Sequence, residues 1–356
     1  MTAETSPPRF KDSARRALAD AQLQKALGNL RTGFTQKRHA AVARLPEFEA
    51  LRDSARAIKD HTLAHLDLYL EAYEKRVTES GGHVHFAATA DAACAKIVEI
   101  CAAQGAKIIA KGKSMVAEEI GLNAALGNAG FSVIETDLGE YIIQLRNETP
   151  SHIIAPAIHL NRQQIAADFR NAHADRPKDR DLSDARMLLT EARSALRGHF
   201  LAADVGITGA NFLVAETGSS IIVTNEGNGD LAQTLPKTHI VIASLEKIVP
   251  TLEDASQLLR VLARSATGQD MSVYTTLSTG PKRATDLDGP RNYHVVIVDN
   301  GRSAMLGTPD REMLRCIRCG ACMNHCPVYD AIGGHAYGAV YPGPMGAVLT
   351  PMFVGI

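Results

Sequence analysis

Four of the six cysteines in this 356-residue chain lie close together near its carboxyl end. They form the run Cys316-x2-Cys319-x2-Cys322-x3-Cys326, and Pro327 follows directly. This spacing is that of bacterial ferredoxin runs, whose thiolates bind 4Fe–4S clusters. A disulfide framework would spread its cysteines through a small secreted domain. We therefore predict iron–sulfur ligands here. Zinc remains the alternative, although it usually takes two separated cysteine pairs.

The fourth cysteine of such a run has a separate role in two-cluster proteins. The first three thiolates hold one cluster, and the fourth binds the other cluster, so Cys326 needs partners elsewhere. Cys94 and Cys101 flank Ile97 and Val98 at helical spacing, which predicts a buried helix face rather than ligands. The chain stops in the apolar stretch GPMGAVLTPMFVGI. We therefore expect a fragment whose continuation carries the second set of cysteines.

Two acidic residues are candidates for catalysis. Glu216 and Glu226 lie at opposite ends of one short predicted strand, in the segments AETGSS and TNEGNGD. Carboxylates in such loops can act as acid, base or nucleophile. Turn formation with solvated acids is the alternative interpretation.

Two further motifs indicate phosphate or nucleotide binding only weakly. The segment GKS ends like a phosphate-binding loop, but Lys107 occupies the position of its first glycine. Lys113 and Ser114 remain candidates for an anion site, with a simple helix cap as the alternative. GNGDLA matches a dinucleotide fingerprint, but Pro236 leaves no room for the crossover helix that this fold requires.

The composition excludes several classes of protein. A net charge of −1 and 5% aromatic residues, with no Trp, argue against a nucleic-acid-binding surface. No run of about 18 apolar residues predicts a membrane span. The amino terminus has no apolar signal segment, so we expect a cytoplasmic protein.

The elements that must position these residues fall into three predicted regions. Residues 1–80 are predicted to be helical, 81–302 to form an α/β domain with a helical insertion at about 170–200, and 303–356 to form the first part of an iron–sulfur module. The alternation of strands and helices predicts a sheet covered on both faces. The predicted strands are AKIIAKG, SVIETD, EYIIQL, SHIIAP, NFLVA, SIIVT, HIVIA and YHVVIVD. Thr251 and Asp254 predict a capping box for a helix that buries Leu252 and Leu258, and Ser114 predicts the cap of a helix reaching Leu126.

Segments from most of the chain together resemble one protein family, lactate utilisation protein B. They are KGKSMVAEEIGLNAAL, ETDLGEYIIQL, PSHIIAPAIHLNR, TGANFLVAETGS, TNEGNGD, EKIVPTLEDA, RSATGQ and CIRCGACMNHCPVY. The resemblance implies a LUD-type α/β sheet domain, similar to the ribose-phosphate isomerase and coenzyme A transferase group. It also implies an N-terminal helical region and a mainly helical, ferredoxin-like module at the carboxyl end.

The same resemblance implies a function and partners. The family comprises iron–sulfur electron-transfer subunits of a bacterial complex that oxidises L-lactate to pyruvate. The partners are a cysteine-rich A subunit and a smaller C subunit with the LUD domain. Two 4Fe–4S clusters are expected in the full-length protein, but family members continue into a second cysteine run. This chain is therefore expected to hold at most one cluster, or none, with Cys316, Cys319 and Cys322 serving one cluster and Cys326 a second.

Two alternative functions remain open at this stage. The chain could be a scaffold that docks partner proteins, with the cluster holding its module together. Alternatively, the sheet domain could be an acyl or coenzyme A transferase that acts through Glu216.

Overall fold

The computed structural model describes residues 10–354, apart from the side chains of residues 31 and 32. The outermost residues of the predicted regions 1–80 and 303–356 therefore lie outside the described part of the chain. Residues 10–79 are helical: α1 (Phe10–Ala19), α2 (Ala21–Leu30), α3 (Gln36–Ala43), α4 (Phe48–Ala64) and α5 (Leu66–Glu79). Leu51, Ala55 and Leu63 recur at helical spacing on the buried face of α4. These helices confirm the predicted helical region.

Strands and helices alternate from residue 83 onward. Their order is β1 (His83–Ala87), α6 (Ala90–Ala103), β2 (Ile108–Lys111), α7 (Met115–Glu119), α8 (Leu122–Asn128), β3 (Ser132–Glu135), α9 (Leu138–Arg146), α10 (Arg162–Ala172), α11 (Ala185–Ala202), β4 (Val205–Gly209), β5 (Phe212–Val214), β6 (Ser219–Thr224), α12 (Asn228–Thr234), β7 (Thr238–Ser244), β8 (Ile248–Val249), α13 (Leu252–Thr267), β9 (Tyr274–Ser278) and β10 (Asn292–Val298). A six-stranded parallel sheet has the order β1-β10-β7-β4-β2-β3. The α/β class predicted from the sequence is confirmed.

Alternate residues of the central strand β7 pack on opposite faces of the parallel sheet. Ile240 and Ile242 belong to the core formed with α6, α7 and α8. Val241 and Ala243 face the other way, against α5 and the strand β5. A strand that is buried on both faces has a continuous run of apolar residues in its sequence. For this reason the segment HIVIA could be predicted as a strand.

A second, four-stranded sheet covers part of one face and was not predicted. Its order is β8-β5-β6-β9, and β5 and β6 form an antiparallel hairpin. The predicted pair of strands NFLVA and SIIVT therefore exists, but β1, β8 and β9 were missed. Phe212 and Val214 pack against α4 and α13 on the outer side of this sheet.

Two strand predictions are wrong. EYIIQL lies in α9, because the Asp137 carboxylate caps this helix by accepting from the N–H groups of Gly139 and Glu140 at 3.0 and 3.2 Å. SHIIAP forms turns instead of a strand, and the Ser151 N–H donates to the Pro156 carbonyl at 2.9 Å. Short apolar runs do not distinguish a helix or a turn from a strand.

Two details of the predicted helices also differ. The helix expected from Ser114 to Leu126 is divided into α7 and α8 by Gly121, whose φ of 66° is left-handed. The Thr251–Asp254 capping box is confirmed. However, Leu252 is 40% exposed, because it lies in the first turn of α13 outside the buried stripe.

The carboxyl-terminal region consists of short helices and turns. It contains α14 (Arg302–Met305), α15 (Ala321–Asn324), α16 (Pro327–Ile332) and α17 (Gly343–Val354). Met323, Tyr329 and Met345 share one apolar core with Leu27 of α2 and Leu63 of α4. The module thus packs against the N-terminal helices as well as the sheet domain. No helix in residues 10–354 is long and apolar enough to cross a membrane.

Candidate functional site

The first three cysteines of the run, Cys316, Cys319 and Cys322, lie in one short segment of the carboxyl-terminal module, the cysteine loop. Burial and the electrostatic interaction with Cys316 and Cys322 raise the pKa of the Cys319 thiol, and burial and Cys316 raise the pKa of Cys322. Burial raises the pKa of Cys319 to about 11, whereas the backbone N–H of Ala321 lowers it. The three thiols therefore lie near one another in the cysteine loop.

Cys326 lies in a different environment from these three. Its sulfur accepts from the Tyr329 N–H at 3.5 Å, at the start of α16. Its charge also acts on the nearby Tyr337 hydroxyl and, after burial, contributes to the raised pKa of that group. The assignment of Cys326 to a second cluster stays a prediction, and Cys316 and Cys326 both pack against the apolar core of the module.

The donors around the three cysteines suit an anionic iron–sulfur cluster. Backbone N–H groups of Met323 and Met345 point toward the Cys322 sulfur. Gly320 has a φ of 73°, and an added Cβ there would lie 3.0 Å from the Ile154 side chain, so glycine is the favoured residue where the loop approaches that segment. Amide donors that stabilise thiolate and sulfide charge are typical of such sites. The residues present therefore fit a cluster held by Cys316, Cys319 and Cys322.

Cys94 and Cys101 are placed as predicted, away from this site. Cys101 is fully buried in the core of α6, and the Cys94 thiol donates to the Ile120 carbonyl at 3.2 Å. Both side chains therefore have structural partners.

A cavity of about 260 Å³ lies beside the cysteine loop, at the carboxyl ends of the parallel strands. Its lining includes the residues after β2 and β4, the loop after β6, one side of α13 and Arg318 of the cysteine loop. Ligands of open parallel sheets commonly bind in this crevice, beyond the carboxyl ends of the strands.

Three cationic side chains line this cavity. Lys113 follows β2 and donates to the Ile154 carbonyl at 2.8 Å. Lys247 follows β7 and is 5% exposed; burial, assisted by the neighbouring Arg318, lowers its pKa to about 7. Arg318 lies between two of the cysteines and adopts a left-handed backbone with φ of 61°. That conformation is unfavourable outside glycine, so tertiary contacts must maintain it.

Glu246 forms an ion pair with Arg318. Its carboxylate lies 3.1 Å from Arg318 and 3.0 Å from Arg302, and Lys59 of α4 donates to its backbone carbonyl. Burial alone would raise the pKa of Glu246, but Arg302 and Arg318 outweigh it and lower the pKa to about 2. This buried carboxylate links the sheet domain, the N-terminal helices and the cysteine loop.

The two acidic candidates occupy different places. Glu226 lines the mouth of the cavity, where partial burial and the nearby Asp137 raise its pKa. Glu216 is exposed outside the cavity lining, and its carboxylate accepts from the Leu252 N–H at 3.2 Å at the start of α13. The structure therefore brings only Glu226 toward the cysteine loop.

The two candidate anion-binding residues, Lys113 and Ser114, have different roles in the structure. The Ser114 hydroxyl accepts from the Ala117 N–H at 3.2 Å, which is the simple helix cap. Lys113 extends into the cavity lining. Its proximity to Lys247 and Arg318 was not foreseen, since these residues are distant in sequence. The position of Lys247 in the short segment that follows the apolar strand β7 was the one local signal for it.

Another group of acids lies at the carboxyl ends of β2 and β3 and surrounds the cation of Lys111. Oxygen atoms of Glu118, Glu135 and Glu140 lie within 4.8 Å of one another. The Lys111 ammonium is 2.8 Å from Glu135 and 3.3 Å from Glu118. Lysine thus occupies the place where a metal ion would neutralise these charges.

Comparison with known proteins finds a matching family for the sheet domain and another for the carboxyl-terminal module. Residues 70–298 match the LUD domain family, and residues 312–354 match the 4Fe–4S dicluster domain family. The chain is 47% identical to lactate utilization protein B of Shouchella clausii over 356 residues, covering 100% of this chain and 74% of that protein. It is 46% identical to the uncharacterized electron transport protein YkgF of Escherichia coli K12 over 355 residues, with the same coverage of 100% and 74%.

A solved structure is also similar to this chain. It is a DUF162 family protein from Deinococcus radiodurans, 14% identical, and the match covers 65% of this chain and 98% of that one with a TM-score of 0.37.

Proposed function

The chain belongs to the lactate utilisation protein B family, and we propose that it is the iron–sulfur electron-transfer subunit of a complex that oxidises L-lactate to pyruvate. The observation that carries this proposal is the position of Cys316, Cys319 and Cys322. Their loop joins the sheet domain at a cavity lined by Arg318, so a redox centre would lie next to a binding site.

The chemistry requires a carrier of single electrons. Oxidation of L-lactate to pyruvate releases two electrons and two protons. A bound 4Fe–4S cluster accepts and releases one electron at a time. Transfer through this subunit would therefore proceed in two steps toward a further iron–sulfur centre or a quinone-linked acceptor of the complex.

The residues of this chain would hold and tune that centre. The thiolates of Cys316, Cys319 and Cys322 would bind it, and the amides of Ala321 and Met323 would donate toward sulfur. Arg318 adds positive charge beside Cys316. Hydrogen bonds, charge and burial are the means by which a protein sets a cluster potential.

The partners and compartment form part of the same proposal. Relatives named lactate utilization protein B support a lactate-utilisation context. We infer a cytoplasmic complex with an A-type, cysteine-rich subunit and a C-type subunit that has a LUD domain. The helical, LUD and iron–sulfur regions are proposed to divide near residues 80 and 302.

Anaerobic EPR tests the proposal against a scaffold role. The full-length protein, prepared without oxygen and mixed with its partner subunits, should show a cluster signal that appears on addition of L-lactate. A cluster that stays redox-silent with L-lactate, but responds to dithionite, would contradict electron transfer from lactate and favour the scaffold. A protein without iron would refute the iron–sulfur assignment itself.

A further inference from the structure

We propose that the cavity beside the cysteine loop binds a small organic anion, a short-chain 2-hydroxy or 2-oxo acid, through Lys113, Lys247 and Arg318. This inference deepens the proposed function and rests on it, because it places the substrate of the complex, or its product, in this subunit.

The first argument is that the cationic side chains at the cavity have few counter-charges. The Arg318 side chain is 8% exposed, yet its Nε and Nη1 have no hydrogen-bond partner among the described residues. Lys247 lines the same cavity, where Glu246 and Cys316 act on it electrostatically without a direct ion pair among the described residues. Buried cations are normally paired. The Glu246 carboxylate is shared between Arg302 and Arg318, and Cys316 also interacts with Arg318. An anion in the cavity would add a counter-charge for Lys247 and for the remaining N–H groups of Arg318.

The shape and polarity of the cavity indicate the kind of anion. A volume of about 260 Å³ accommodates a small molecule and lies just below the range of pockets that bind drug-sized ligands. Ile242, Leu262 and Ala266 form an apolar wall. Polar amides of Asn211 and Asn228 also line the cavity. Cations with an apolar wall suit a carboxylate that carries a short alkyl group, and the amides suit its hydroxyl or keto oxygen.

The position of Arg318 connects this cavity to the cysteines. Its backbone lies between Cys316 and Cys319, while its side chain reaches both Glu246 and the cavity. The left-handed φ of 61° at this residue is maintained although it is unfavourable for arginine. Such retained strain is typical of functional sites. An acid held by Arg318 would therefore lie next to the cluster-binding loop.

Calorimetric titration of the cluster-loaded protein tests this assignment. We expect saturable binding of L-lactate and of pyruvate to the anaerobically prepared full-length chain, and no binding of the neutral analogue lactamide. Lys247→Met and Lys113→Met should each weaken binding of both acids at least tenfold, with iron content unchanged. Lys107→Met is the matched control, because Lys107 is exposed at the opposite end of β2, and it should bind like the parent protein.

Each contrary result has a distinct meaning. Failure of both acids to bind a protein with a full cluster would overturn the inference while leaving the electron-transfer proposal intact. Lactamide or inorganic phosphate binding as tightly as L-lactate would overturn the assignment to organic acids. Unchanged binding in both lysine variants would also refute it. Melting temperatures of the two lysine variants establish that each is folded. Because Lys113 is only half-buried, its substitution tests the binding site without disturbing the core.

Discussion

Arg318 and Glu246 form an ion pair of 3.1 Å that joins the cysteine loop to the end of the central strand β7. The same carboxylate lies 3.0 Å from Arg302, which pairs with Glu119 of α7 at 2.6 Å. Both arginine side chains and both acids are buried or nearly so. The position of the cysteines relative to the cavity is therefore determined by a buried network of charges.

Loss of the Glu246 charge should destabilise the protein strongly. Glu246→Gln leaves Arg318 buried without its counter-charge, and removing one partner of such a pair typically costs about 3 kcal/mol or more. Urea denaturation under anaerobic conditions measures the change in free energy of unfolding. Glu253→Gln removes an exposed acid from the first turn of α13 and serves as the control. A loss below about 1 kcal/mol for Glu246→Gln, comparable to a surface pair, would contradict the network's structural role.

Removal of the Arg318 charge should lower the reduction potential of the cluster. A positive charge beside Cys316 stabilises the more negative, reduced state, so Arg318→Gln disfavours reduction. We expect a decrease of about 60 mV or more, equivalent to a tenfold change in a one-electron equilibrium. Redox titration followed by EPR gives the midpoint. Arg315→Gln is the comparison, since Arg315 is 31% exposed and pairs with Asp60 at 2.6 Å. An equal shift in both variants would exclude a specific effect of Arg318.

The cysteines should differ in their effect on iron binding. Cys319→Ser removes one of the three neighbouring thiolates and should lower iron and labile sulfide per chain by at least half after anaerobic reconstitution. Cys101→Ala changes a thiol buried in the core of α6 and should leave both values unchanged. Full iron loading of Cys319→Ser would show that this thiolate is not a ligand.

Local sequence patterns predicted the elements better than the site. The capping box at Thr251 and the apolar run of β7 were recognisable because their signals are contained within a few residues. EYIIQL was misassigned because consecutive buried residues such as Ile142 and Ile143 fit a strand as well as α9. The meeting of Lys247 with Arg318 depends on how the module packs onto the sheet, and no local pattern encodes such a contact.

Histidine burial should make stability depend on pH. Burial lowers the pKa of His239 on β7 to about 3, while the unfolded chain has the ordinary value of about 6.5. Below pH 6.5 the unfolded chain binds a proton that the folded chain does not, so stability falls as the pH decreases toward 3. This one residue should remove about 1.4 kcal/mol between pH 7.5 and pH 5.5.

Two variants isolate this contribution to stability. His239→Gln should reduce the loss of unfolding free energy between those pH values by about 1.4 kcal/mol relative to the parent protein. The glutamine can still bond to Thr208, whose hydroxyl is 2.8 Å from the imidazole. Lys237→Gln changes an exposed residue just before the same strand and should retain the parent slope. Identical pH profiles for His239→Gln and the parent would disprove the assignment.

Glu226 should oppose anion binding in the cavity, in contrast to the lysines. Its carboxylate lies at the cavity mouth, near Asp137 and Lys113, and repels a carboxylate ligand. Glu226→Gln should therefore tighten L-lactate binding about two- to fivefold, the effect of a partly screened charge of about 0.4–1 kcal/mol. Glu216→Gln changes an acid outside the cavity lining and should have no effect.

The pH dependence of this difference provides a further check on Glu226. Partial burial and Asp137 raise the pKa of Glu226 above its ordinary value, so the parent carboxyl takes up a proton at a higher pH than a solvated glutamate would. Above that pKa the parent protein carries the repelling charge and binds L-lactate more weakly than Glu226→Gln. Below it the charge is lost, and the two affinities should converge. Calorimetric titrations at neutral and acidic pH measure both affinities, and weaker binding by Glu226→Gln at neutral pH would instead show that the carboxylate contacts the ligand favourably.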